Sequence, residues 1–227
     1  KNEFLTKEAV ASSCSFYPAH HICTIEGGMV SSNNEEIIAI ARSFAWWGRD
    51  CYCVGVQNKL KNGTCGKRFD KWLDGYNKVV DHKYVFGVQG YNLKTPDLLG
   101  SIGLVQLEKY DEIHRIRREN KELISKIFEK IPGTRIINEK ESAETSWFGV
   151  PIVCSDIDPK FNKKNLVKFL EDNGVQTRNY FAGNLLMHPA YKGLDDPHNF
   201  PNALQVLDKV FFVGCSPVIT KEMINHI

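Results

Sequence analysis

The chain has 227 residues, 42% of them hydrophobic and 25% charged, and a net charge of +2. That is ordinary globular composition, and so small a charge gives no reason to expect nucleic acid or a membrane surface as the partner. Seven cysteines, odd in number and irregularly spaced, argue against a secreted disulfide scaffold and for a reducing cytosol.

The chain opens on Lys1 with no signal peptide, so its start reads as a cut inside a longer protein. Residues 12 to 17 and 22 to 32 read as short strands around a loop, "SSCSFYPAHHICTIEGG". The Gly-Gly of "TIEGGMVSS" suits a tight hairpin or a close backbone approach, and Glu26, Gly27 and Gly28 read as structural turn residues. A helix is expected over about 35 to 47, capped by Asn33 or Asn34, with Glu35 and Glu36 at its positive end and Gly48 as its stop. Trp46 and Trp47 read as core or rim aromatics. Residues 49 to 95 are irregular, a long loop that base rates associate with function or mobility.

After "KTPD", Thr95 can cap and Pro96 can open a helix. A stripe of Leu107, Tyr110, Ile113, Ile116, Ile124, Ile127 and Phe128 carries it to about Pro132–Gly133. One helix of that length could link two domains. Gly100, Ser101 and Gly103 in its early turns permit close packing against another backbone. Beyond Gly133, "TRIIN", "SWFGVPIVC", "VQTRNYF" and "KVFFVGCS" read as strands. A helix over about 163 to 173 lies among them, with Asn162 as cap and Gly174 as stop. This is a small α/β domain with an antiparallel sheet. The final "ITKEMINHI" reads as a trimmed helix.

Three segments, "SFYPAHHICTIEGG", "GYNLKTPDLLGSIGLVQLEKYDEI" and "TRNYFAGNLLMHPAY", resemble the sugar aminotransferase and dehydratase family. The resemblance covers nearly the whole chain. It implies an α/β fold, the C-terminal part of a fold-type I enzyme dependent on pyridoxal phosphate (PLP). Residues 1–110 would be a remnant of the large cofactor-binding domain, and 111–227 the linking helix and small C-terminal domain. The family pattern places a lysine where this sequence has His20. A histidine there marks the sugar 3-dehydratase branch, which removes an oxygen instead of installing an amine. A histidine cannot make the covalent bond to the cofactor that a lysine makes, so the pyridoxamine phosphate form is expected, with His20 moving protons near neutral pH. By composition alone His20 could equally be a satisfied loop histidine, and His21 is a weaker candidate that packs.

The resemblance further assigns Ser15 to the cofactor phosphate and Asn92 to the phosphate of a neighbouring subunit, which implies a homodimer. Arg178, Asn184 and His188 would line the sugar-nucleotide site, since an arginine and an amide suit a diphosphate and sugar hydroxyls. "WGRDCYC...CGKRF" resembles the branch that carries a [2Fe–2S] cluster, with Cys51, Cys53 and Cys65 as ligands and a fourth ligand upstream of Lys1. The spacing from Cys53 to Cys65 is longer than in that branch. Three free thiols, or a zinc site, are the alternatives. The implied activity is a 3-dehydratase of a nucleotide-linked 4-keto-6-deoxyhexose, CDP-linked by this resemblance, in 3,6-dideoxysugar and lipopolysaccharide synthesis. An NADH-dependent flavin iron–sulfur reductase would supply electrons. A cluster-free dehydratase of a GDP-linked sugar and a non-catalytic sugar-nucleotide-binding relative remain as other readings.

Overall fold

A computed structural model describes residues 5–51, 68, 69, 73–155 and 161–227, and the chain divides into two compact units, Lys1–Leu107 and Glu108–Ile227. The first unit opens with a hairpin of β1 (Ser12–Ser15) and β2 (Gly28–Ser31), paired antiparallel with Ser12 opposite Ser31 and Ser15 opposite Gly28. Both strands are shorter than the alternation suggests, because residues 16–27 bond to one another: Phe16 N–H donates to Gly27 O and Thr24 N–H to Phe16 O.

Helix α1 (Glu35–Ala45) begins at Asn34, whose Oδ1 accepts from the Glu36 and Ile37 amides. It ends where Gly48, at φ 79°, donates its amide to Ser43 O. A side chain at Gly48 would put its Cβ 1.8 Å from Val88 O. Glycine is required there because residues 88–90 cross directly over it.

The long helix expected after Pro96 is two helices. Helix α2 (Asp97–Glu108) and helix α3 (Tyr110–Phe128) are separated at Lys109, whose ψ of 0° breaks the ladder. The physical reason is that each helix answers to a different unit. Gly103 of α2 lies against Thr24 of the first unit, whereas α3 buries Ile124 and Phe128 in the core of the second.

The second unit is a four-stranded antiparallel sheet in the order β3 (Thr134–Ile136), β4 (Gly149–Cys154), β6 (Val210–Gly214), β5 (Thr177–Asn179). Alternate residues of one face, among them Val150, Ile152, Cys154, Phe211 and Val213, form a single core with Ile124, Phe128, Leu170 and Ile224. The helices behind it are α3, α4 (Lys163–Asp172) and α6 (Lys221–His226). Helix α4 has the expected boundaries: Asn162 Oδ1 accepts from the Asn165 amide, and Gly174 follows at φ 79°. Helix α5 (Pro201–Lys209) was not legible as an element, although Pro201 sits in its first turn.

Buried polar groups tie α3 to the sheet. Arg117 Nη1 donates to Trp147 O and Phe148 O, and Asn120 Nδ2 to Ser216 O and Ile219 O. Cys215 is fully buried beside Arg117, and burial pushes its thiol up to about 11. Cys154 and Cys215 are therefore packing residues. No helix among the described residues is long and apolar enough to cross a membrane.

Candidate active site

The loop between β1 and β2 holds the central residue. A tight turn brings the His20 amide to Tyr17 O at 2.9 Å. His20 Nδ1 lies 3.3 Å from Ser15 O. A carbonyl oxygen only accepts, so Nδ1 is the donor in this contact. The Tyr17 ring meets the imidazole edge-on at 5.9 Å. The carbonyl and the Tyr17 ring orient the imidazole.

Beneath the loop, Thr24 is 4% exposed and its hydroxyl donates to Glu26 O at 2.8 Å. Glycine at 27 and 28 is enforced by close approach. A Cβ at Gly27 would fall 2.7 Å from Thr24 Oγ1, and one at Gly28 would fall 3.1 Å from Cys14 O. The small-residue face of α2 contributes through Gly103, whose Cβ would lie 3.0 Å from Thr24, while Gly100 has nothing within 4 Å.

Ser15 and Asn92 line one cleft of about 1000 Å3, together with Gly27, Gly28, Arg42 and Lys94. Asn92 is placed by its neighbours. The Tyr91 amide donates to Phe44 O, the Leu93 amide to Ala45 O, and Asn92 itself bridges to Trp46. The segment 91–93 is therefore laid along the end of α1. Trp46 and Trp47 stack on each other at 5.3 Å, with Lys94 over the first ring at 4.7 Å and Arg49 over the second at 4.9 Å. Neither ring is among the residues that line the cleft.

The volume suits a cofactor-sized ligand. Ser15 Oγ accepts the Tyr17 amide, which leaves its hydroxyl hydrogen to donate. One hydroxyl, one amide side chain and two cations that make no ion pair among the described residues form a donor set matched to a phosphate ester. The residues present fit a phosphorylated cofactor. Sequence reasoning missed Arg42 and Lys94. Lys94 stands two positions after Asn92 in "GYNLK", which was a usable signal. Arg42 carried none, because only the fold brings α1 to the hairpin.

Arg178, Asn184 and His188 all lie in the second unit. Asn184 is 3% exposed and its amide is engaged at both ends, donating to Pro197 O and accepting from the Leu186 amide. His188 Nε2 lies 3.0 Å from Ala182 O. Arg178 is exposed, and its Nη1 donates to Thr177 O. With the amide of Gln176 turned to accept, its oxygen takes hydrogen bonds from both Arg178 terminal nitrogens, at 3.0 and 2.7 Å. Of the proposed metal ligands, Cys51 is buried, and Cys53 and Cys65 lie outside the described residues. Among the described residues no three metal-ligating side chains come together.

Comparison with known proteins extends these observations. The model of the DegT/DnrJ/EryC1/StrS aminotransferase family matches residues 4–227. The chain is 39% identical to dTDP-4-dehydro-2,6-dideoxy-D-glucose 3-dehydratase of Saccharopolyspora spinosa over 95% of this chain and 46% of that protein. It is 36% identical to the lipopolysaccharide biosynthesis protein RfbH of Salmonella typhimurium over 94% of this chain and 48% of that protein. A solved structure of E. coli GDP-4-keto-6-deoxy-D-mannose-3-dehydratase with bound hydrated PLP superposes with a TM-score of 0.72 at 26% identity, covering 96% of this chain and 53% of that one. The chain thus spans about half the length of the curated relatives it matches.

Proposed function

The chain belongs to the DegT/DnrJ/EryC1/StrS aminotransferase family, and from that premise we propose that it serves a PLP- or pyridoxamine phosphate-dependent 3-dehydratase of a nucleotide-linked 4-keto-6-deoxyhexose. The observation that carries this reading is His20. It stands where the family resemblance calls for a lysine, on the loop between β1 and β2 whose end residues Glu26 and Gly27 line the cleft, with Nδ1 3.3 Å from Ser15 O. A histidine cannot anchor the cofactor covalently as a lysine does but can move a proton.

Bound in the cleft, the cofactor would supply an electron sink next to the keto carbon of the sugar. The protein supplies the rest. Ser15, Arg42 and Lys94 hold the phosphate, and the Gly27–Gly28 backbone allows close approach. His20 moves the proton, and Arg178 meets the sugar nucleotide. If Asn92 reaches a neighbour's cofactor, the enzyme is a two-fold homodimer. The setting is the reducing cytosol.

The nucleotide-linked 3-dehydratase reading is supported by the relative at 39% identity and by two GDP-4-keto-6-deoxy-D-mannose 3-dehydratases at 28% and 30%, and the lipopolysaccharide setting by RfbH at 36%. The resemblance of "WGRDCYC...CGKRF" is what favours the cluster-bearing branch over a cluster-free GDP-sugar enzyme. In that branch Cys51, Cys53 and Cys65 are thiolates for a [2Fe–2S] cluster, and the donor of electrons is a reductase of the NADH-dependent flavin iron–sulfur type. Iron and sulfide analysis of the full-length protein separates the two branches.

The test of the central claim is His20→Asn in the full-length enzyme. Cofactor absorbance should persist, while solvent exchange of the cofactor's methylene proton falls by about a hundred- to ten-thousandfold. Exchange at the wild-type rate would remove His20 from the base role.

A further inference from the structure

Phe181 is the third of three described non-glycine residues with positive φ, at 51°, beside Ile25 and Trp47. It occupies the first central position of a turn closed by the Gly183 amide on Tyr180 O. Positive φ at that position is the province of glycine, since any Cβ is crowded there. Phe181 is nonetheless 66% exposed. The strain is therefore not compensated by burying the ring.

The ring is held from behind, with Phe148 at 6.0 Å, Tyr180 at 5.4 Å and Phe212 at 5.7 Å from its centroid. Phe212 pairs directly with Arg178 across β5 and β6. Directly paired residues of an antiparallel sheet project to the same face, so Arg178 stands beside this aromatic group on the face opposite the core residues Phe211 and Val213. A rigid, exposed ring thus lies one residue pair away from a guanidinium whose fork is oriented by Gln176.

We propose that Phe181 is a stacking platform for the nucleobase of the sugar nucleotide, with Arg178 beside it at the diphosphate. This rests on the sugar-nucleotide reading above and assigns the part of the ligand that reading leaves unplaced. An aromatic face stacks any base, because every base has a π-face. The strained turn is the device that aims the ring outward.

The test uses the full-length holoenzyme and four probes, CDP, UDP, dTDP and GDP, with inorganic pyrophosphate as a base-free control. Phe181→Gly removes the ring but accepts the positive φ. It should weaken the best-bound nucleoside diphosphate by about tenfold or more, while Phe181→Tyr restores the affinity. Pyrophosphate should bind F181G and wild type alike, and Arg178→Ala should weaken pyrophosphate as well as nucleotide. Equal nucleotide affinity in F181G and wild type overturns the proposal and leaves the dehydratase reading standing. A lowered thermal midpoint with nucleotide affinity intact makes the ring structural and also overturns it. If F181G weakens pyrophosphate as much as nucleotide, the ring is not stacking a base. If wild type binds none of the four nucleotides, the sugar-nucleotide reading falls together with the platform.

Discussion

The two units of this chain bury their apolar residues very differently. In Glu108–Ile227, Ile124, Phe128, Val150, Ile152 and Phe211 are completely excluded from solvent in one contiguous core. In Lys1–Leu107, Cys51 is the sole buried apolar side chain among the described residues. Helix α2 shows the contrast most sharply. It is apolar on every side, yet Leu98, Leu104 and Leu107 are 72, 67 and 59% exposed. A helix apolar all round is built to be surrounded. Among the described residues, the unit that carries His20, Ser15 and Asn92 is held by hairpin bonds, backbone crossings and caps, and the other unit by hydrophobic burial. Among the described residues, the loop carrying His20 and the contiguous apolar core fall in different units.

The sharpest way to break that comparison is to remove the chemistry. His20→Asn should cost about a hundred- to ten-thousandfold in turnover of the full-length enzyme, with the thermal midpoint unchanged because the residue supports no core. A large drop in thermal midpoint would show that the loop is structural after all.

Phe128→Ala is the converse experiment. Phe128 is 0% exposed and meets Phe211 edge-on at 6.2 Å, so its truncation should destabilise by about 3–5 kcal/mol in denaturant titration. A loss within experimental error would deny the second unit its core.

Smaller is the effect of Glu139→Gln. Arg118 pairs with both Glu139 carboxylate oxygens, and the Thr145 amide donates to one of them. The Arg118 guanidinium chiefly, with Thr145 helping, holds Glu139 at about 2, down from an ordinary 4.5. A depressed carboxyl stabilises the fold above its unfolded value, and that contribution disappears as the pH falls from 4.5 through about 2. The pair is partly solvated, so the variant should lose about 1 kcal/mol at neutral pH. The difference from wild type should vanish in acid titration near the lower limit, and a difference that persists there contradicts the ion-pair account.

The least effect belongs to Leu98→Ser on α2. With the side chain 72% exposed, this chain should change by less than about 0.5 kcal/mol in thermal unfolding. A penalty comparable to Phe128→Ala would mean the first unit has a core of its own.

Much of this was legible in sequence because it is local. Asn34 and Asn162 cap their helices through side chains that reach amides two and three residues on, and Gly48 and Gly174 stop them by accepting positive φ. The short runs "TRIIN", "SWFGVPIVC", "VQTRNYF" and "KVFFVGCS", rich in β-branched and aromatic residues, marked the four strands of the second unit. The loop pattern singled out His20, and its neighbour Ser15 supplies the carbonyl that orients it.

Other features depend on contacts between residues far apart in the chain, which no window of sequence contains. The apolar stripe continues past Leu107 to Ile116 and resumes at Ile124, yet the helix parts at Lys109, with α2 packed on the hairpin loop and α3 on the sheet. Arg42 joins Ser15 in one cleft only because α1 folds against β2. Asn184, chosen for its amide, spends that amide on Pro197 and Leu186. Phe181 looks like any strand-end aromatic until its φ is known. Sequence by itself determined the helix ends, the strands of the second unit and the histidine at the head of the loop, because capping, β-propensity and turn chemistry act over a few residues. Tertiary structure alone decided which cations share the cleft, where the long helix breaks and which ring is forced outward, because those outcomes are set by packing between segments tens of residues apart.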